Sequence, residues 1–123
     1  MRSNHQLAGV IVPCITPVDE RDRVDEPAFR AQLRFLIEAG VHGIFVGGSA
    51  GEGPLLTNRQ WRRMVAIARD EVGRQLPLLI CVMESSTRRV LEKIETAGDL
   101  GCRYVVLTPT YYVATRAATE HRR

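Results

Sequence analysis

The stretch Gly43-Ile44-Phe45-Val46-Gly47-Gly48-Ser49-Ala50-Gly51-Glu52-Gly53 decides how the chain is read. It opens as an unbroken apolar run, too short for a helix, and so reads as a strand buried on both faces. It ends in a polar loop with four glycines counted from Gly47. The runs Gly9 to Thr16, Leu78 to Val82 and Tyr104 to Thr108 have the same unbroken apolar character. Pro13 removes one ladder donor from the first of them.

Amphipathic stretches separate these runs. Asp25 is an N-cap with Pro27 in the first turn, and Phe29, Leu33, Leu36 and Ile37 recur at helical spacing up to Gly40. Thr57 starts a second helix with Gln60 in capping-box position; Trp61, Met64, Val65, Ala68 and Val72 form its stripe, and Gly73 ends it. Ser85 or Ser86 caps a third, with Val90, Leu91, Ile94, Ala97 and Gly98 inward and Gly101 at its end. The order is β-α-β-α-β-α-β. Continuous apolar strands alternating with helices predict a parallel sheet covered by helices, an α/β fold. Two architectures fit: a small open sheet, or the N-terminal half of a (β/α)8 barrel, which takes about 250 residues when whole. In both, ligands sit at the C-terminal ends of the strands. Thr16-Pro17, Gly48 to Glu52, Met83 to Ser86 and Thr108 to Tyr112 all fall there.

Composition limits the function classes. The chain has 123 residues with 45 % apolar and 25 % charged, ordinary for a folded globular protein. No run approaches the roughly 20 apolar residues of a membrane span, and the polar N-terminus lacks a signal-peptide core. The net charge of +3 is spread over arginines interleaved with acids, so neither nucleic acid nor a membrane is an expected partner. Cys14, Cys81 and Cys102 lack metal-ligand spacing and read as buried thiols of a cytoplasmic protein; no metal or cofactor is expected. There is one lysine, Lys93. Glu92, Glu95, Thr96 and Asp99 around it place it on the solvated face of the third helix. Nearby carboxylates would hold its ammonium charged, which makes it a poor nucleophile.

The glycine loop fails the dinucleotide fingerprint at Leu56 and has no lysine for a P-loop. Gly47-Gly48-Ser49-Ala50-Gly51 matches G-x-S-x-G. The helix starts only at Thr57, however, and no acid–histidine pair follows in order, so a serine hydrolase is not expected. Two readings stay open: a tight turn needing glycine for its dihedrals, or a nest of backbone N–H groups that holds a carboxylate, with the Ser49 hydroxyl as proton relay.

From about Gly9 to Tyr112 the chain resembles the dihydrodipicolinate synthase / N-acetylneuraminate lyase family. Thr16-Pro17, Val24-Asp25, Gly48-Ser49-Ala50-Gly51-Glu52, Leu56-Thr57 and Thr108-Pro109-Thr110-Tyr111-Tyr112 carry the resemblance, in order and at the right spacing. It implies a (β/α)8 barrel, usually a tetramer. It also implies making or breaking carbon–carbon bonds to pyruvate or a related 2-oxo acid through a lysine Schiff base. By that carry-over Gly48, Ser49, Ala50 and Gly51 bind the substrate carboxylate. Ser49 and Tyr111 are then the catalytic relay residues, with Tyr112 the alternative to Tyr111 by one register step. Ala50 departs from the family's threonine, and one lost hydroxyl donor to a charged group costs about 1.5–3 kcal/mol. The Schiff-base lysine would lie beyond residue 123. Residues 1–8 are therefore expected to be a flexible tail and 9–123 a truncated barrel with strands 1–4 and helices 1–3, inactive alone. The alternatives are a non-catalytic half-barrel that assembles with a partner chain, and a small anion-binding α/β module.

Overall fold

The computed structural model describes residues 6–109. Four strands, β1 (Ile11–Pro13), β2 (Gly43–Val46), β3 (Leu78–Cys81) and β4 (Tyr104–Val106), alternate with helices α1 (Glu26–Glu38), α2 (Asn58–Val72) and α3 (Thr87–Asp99). A single 3-10 turn, Gly53–Leu55, lies between β2 and α2. All strand pairs are parallel, in the order β1-β2-β3-β4. The caps form where the sequence predicts them. Asp25, Thr57 and Ser86 accept from the amides of Ala28, Gln60 and Arg89, and Gly40, Gly73 and Gly101 take positive φ at the helix ends.

Strand periodicity sorts the side chains onto two faces. Ile44, Val46, Leu78, Ile80 and Val82 join Phe29 and Leu33 of α1, Trp61, Met64 and Val65 of α2, and Ala97 of α3 in one core cluster. The helices therefore cover one face. The intervening row, Pro13, Phe45, Leu79 and Tyr104, runs in register across all four strands on the other face. Sequential parallel strands with helices on one side only are a barrel segment, because an open doubly wound sheet reverses its strand order and is covered on both sides. Beyond β4, Leu107 is 61 % exposed, and Val105 within it is 41 % exposed. Arginines of α1 and α2 (Arg30, Arg34, Arg63) meet Glu26, Asp70 and Glu71 and clamp those two helices together.

Four sequence expectations are corrected. Lys93 is not on a solvated face: it is 6 % exposed. It stands three residues after Val90 and four before Ala97, so it belongs to the inward stripe. Leu91 is 59 % exposed rather than inward, because it stands one residue beside that stripe. The capping box at Thr57 is only half formed. The Gln60 side chain accepts from the buried Val24 amide at 2.9 Å instead of turning back to the cap. β1 is also shorter than the apolar run that contains it. Val10 and Ile15, which flank it, are exposed.

Candidate functional site

The site lies at the C-terminal ends of β1, β2 and β3. Where β2 ends, Gly47 takes φ +73° and turns the chain into the loop. Within the loop, the Glu52 amide donates to the Ser49 carbonyl at 3.1 Å and the Gly53 amide to the Gly48 carbonyl at 3.3 Å. Glu52 takes a left-handed φ of 52°, a conformation costing an ordinary residue roughly 1–2 kcal/mol. Gly53 then seats directly on Gly47: a Cβ there would stand 2.0 Å from the Gly47 carbonyl oxygen. The helix begins only at Asn58, after the 3-10 turn, which is not the abrupt strand-to-helix step of a nucleophile elbow.

This folding leaves a run of consecutive amides unspent, those of Ser49, Ala50 and Gly51 among them. Among the described residues nothing accepts from the N–H groups of Ser49, Ala50 or Gly51. Ser49 and Ala50 are exposed, whereas Gly48 and Gly51 are buried. The floor explains the two glycines. A Cβ on Gly48 would strike the Phe45 ring at 2.9 Å. One on Gly51 would meet the Cys14 carbonyl and the Gly47 amide at 3.0 Å and the Thr16 hydroxyl at 3.1 Å. Neither glycine takes a positive φ, so the close packing beneath them, and not a dihedral need, is what favours glycine at both positions.

The structure thus brings together four of the expected site residues: Gly48, Ser49, Ala50 and Gly51. Tyr111 and Tyr112 lie outside the described residues. Thr16 was legible only as part of a short motif. Here its buried hydroxyl donates to the Met64 sulfur at 3.4 Å and backs Gly51. The electrostatics of the floor are neutral. Burial pushes the Cys14 thiol up to about 12 from an ordinary 9.0. Burial also raises Cys81, partly offset by the Met83 backbone and by Lys93. Neither thiol is a nucleophile near neutral pH. Among the described residues no group of three or more His, Cys, Asp or Glu side chains could hold a metal ion, and no helix is long and apolar enough to cross a membrane.

One constellation escaped the sequence entirely. The Lys93 ammonium stands 3.2 Å from Glu84 Oε1, in the β3–α3 loop, and 4.9 Å from the centre of the Trp61 ring. Only a helical wheel that counts Lys93 with Val90, Ile94 and Ala97 hints at it.

Comparison with known proteins matches this geometry to a family. The dihydrodipicolinate synthetase family model matches residues 6–121. An uncharacterized DapA-like lyase of Halobacterium salinarum is 39 % identical over 119 residues, 95 % of this chain and 39 % of that protein. A 4-hydroxy-tetrahydrodipicolinate synthase of Methanothermobacter thermautotrophicus is 34 % identical over 107 residues, 87 % of this chain and 38 % of the relative. Among solved structures, YagE of E. coli K12, a prophage protein of the dihydrodipicolinic acid synthase family in complex with pyruvate, superposes with a TM-score of 0.84. It has 30 % identity, over 89 % of this chain and 37 % of its own. CdNal of Clostridium difficile, in complex with mannosamine, gives 0.83 at 25 % identity, over 90 % and 39 %. The chain spans about two fifths of the length of these proteins, which agrees with four of eight barrel strands. With the family model matching residues 6–121 and the fold of the described residues in agreement, the chain belongs to the dihydrodipicolinate synthetase family.

Proposed function

We propose that this chain is the N-terminal half of a class I lyase or synthase acting on pyruvate or a related 2-oxo acid. Its part is to hold the carboxylate of that acid on the Ser49, Ala50 and Gly51 amides. The observation that carries this reading is those three unspent amides, side by side beyond β2 over a floor of glycine and threonine. Consecutive N–H groups of this kind suit an anion, and the exposed Ser49 hydroxyl stands beside them to pass a proton. Ala50 adds no hydroxyl, so the carboxylate depends on backbone donors alone. Tyr111 is the proposed second member of the relay. The Schiff-base lysine is proposed to come from outside this chain, since Lys93 is engaged by Glu84 between the helices and the sheet. The working protein is proposed to be a cytoplasmic homo-oligomer without a cofactor, and the chain alone to be inactive.

Titrating the ¹⁵N-labelled chain with pyruvate tests the carboxylate site. Saturable shifts centred on Ser49, Ala50 and Gly51 support it, and shifts scattered elsewhere or none at all overturn it. Borohydride trapping with pyruvate tests the lysine. The expected result is no adduct on Lys93, with an adduct appearing only when the remaining barrel strands are supplied. A second reading, a non-catalytic half-barrel that assembles with a partner chain, draws on the exposure of Val105 and Leu107 beside the open edge. An assembled barrel that binds pyruvate but traps none would favour it.

A further inference from the structure

We infer that Lys93 is a positioning residue for the carboxylate loop, acting through Trp61; this rests on the reading of Ser49 to Gly51 as an anion site. The path is short and continuous. Glu84 leaves the end of β3 and meets Lys93 from α3, their side chains 7 % and 11 % exposed for lysine and glutamate respectively. The contact at 3.2 Å is an ion pair without hydrogen-bond alignment. Arg89 supports the same carboxylate from 3.8 Å. The ammonium lies over the Trp61 ring. The indole is 2 % exposed, its N–H meets no acceptor among the described residues, and its Nε1 would stand 3.6 Å from a Cβ on Gly47. Gly47 in turn carries Gly53, whose Cβ position falls 2.0 Å from the Gly47 carbonyl. Lys93, Trp61, Gly47 and Gly53 therefore follow one another from helix α3 up to the loop, with Met64 also standing against Gly47.

A stability argument does not account for this pair. Two buried charges gain little over well-packed apolar side chains, which Val90, Ile94 and Ala97 supply at neighbouring positions. A charged pair does fix a plane. Held by Glu84, the ammonium fixes the face of the indole, and the indole edge lies beside Gly47 together with the Met64 methyl, which a Cβ on Gly47 would meet at 2.9 Å. The loop beyond β2 is thereby referenced to the loop beyond β3. The position of the Ser49, Ala50 and Gly51 amides follows from a pair that touches none of them.

The test uses the labelled 123-residue chain and the variant Lys93→Met/Glu84→Gln, which removes both charges and leaves neither unpaired. Val72→Ala, a cavity in the core at the far end of α2, serves as a destabilised control. Three signals are read: the single indole N–H resonance, hydrogen exchange at Glu52 and Gly53, whose amides are bonded within the loop, and pyruvate affinity. The expected result is a folded double variant with a moved indole resonance, faster exchange in the loop and pyruvate binding roughly tenfold weaker. Val72→Ala is expected to lower the melting temperature with the loop and the affinity unchanged. A folded double variant with wild-type exchange, wild-type indole resonance and affinity within about twofold overturns the inference. Should the double variant not fold, Glu84→Gln, which keeps an acceptor beside Lys93, is judged by the same signals. If the unmodified chain binds no pyruvate, the carboxylate reading falls, and exchange and the indole resonance alone decide the role of Lys93.

Discussion

Gly53→Ala is the substitution for which the structure yields the most definite number. The new Cβ would lie 2.0, 2.7 and 2.9 Å from the carbonyl oxygen, carbonyl carbon and Cα of Gly47. These are backbone atoms at the end of a buried strand, so no rotamer change relieves the clash. The loop has to retreat by more than about 1 Å to reach ordinary contact. That retreat breaks the Gly53 amide bond to Gly48, already 3.3 Å long, and strains the Glu52 amide bond to Ser49. Overpacking costs about 1–3 kcal/mol and each lost hydrogen bond about 1 kcal/mol. The smaller unfolded-state entropy of alanine returns about 0.4–1 kcal/mol. The net expectation is a loss of about 1–3.5 kcal/mol, read by urea denaturation followed through circular dichroism. The pyruvate-induced shifts of Ser49, Ala50 and Gly51 should vanish with it. Gly98→Ala is the matched control: nothing lies within 4 Å of its Cβ, and within helix α3 alanine should stabilise by about 0.5 kcal/mol. A Gly53→Ala chain within about 0.5 kcal/mol of wild type, with its pyruvate shifts intact, would refute the close-packed loop.

Further expectations follow from other contacts. Gln60→Met leaves the buried Val24 amide without its acceptor and should cost about 1–3 kcal/mol, more than loss of an exposed helix cap residue explains; a melting curve decides it. The Cys14 thiol, pushed up to about 12 by burial, contributes stability that is whole below pH 9. That contribution drains away as pH climbs toward 12, by about 1.4 kcal/mol per pH unit. Urea midpoints should therefore fall above pH 9, and fall less steeply in Cys14→Ala; equal slopes would contradict this. Val105 and Leu107, exposed at the β4 edge, should make the isolated chain bind an environment-sensitive apolar dye and self-associate. A monodisperse monomer without dye fluorescence would count against an unfilled barrel edge.

Much of this molecule is determined by its sequence alone, and the reason is that the deciding forces are local. Unbroken apolar runs such as Leu78 to Val82, too short for helices, read as strands of a parallel sheet. Asp25, Thr57 and Ser86 satisfy orphan amides three residues on, and Gly40, Gly73 and Gly101 accept left-handed dihedrals at helix ends. Such features depend on neighbours within one helical turn or one strand. The alternation of strands and helices and the glycine loop beyond β2 followed from the same reading, whereas the choice of a barrel segment over an open sheet rested on the resemblance to the family.

Tertiary structure decided what depends on residues far apart in the chain. Gln60 at a cap position finds a buried amide 36 residues away, which outweighs a bond back to its own helix end. Gly51 is glycine because Thr16 and Cys14 stand against it, and Gly53 because Gly47 does. The acids around Lys93 in sequence spoke for solvent. Its actual partners are Glu84 beyond β3 and Trp61 on α2. A long side chain turns inward when folding brings it a counter-ion and an aromatic face, since both lower the cost of burying its charge. That balance is set by the distances between α2, β3 and α3, and these exist only once the sheet has assembled.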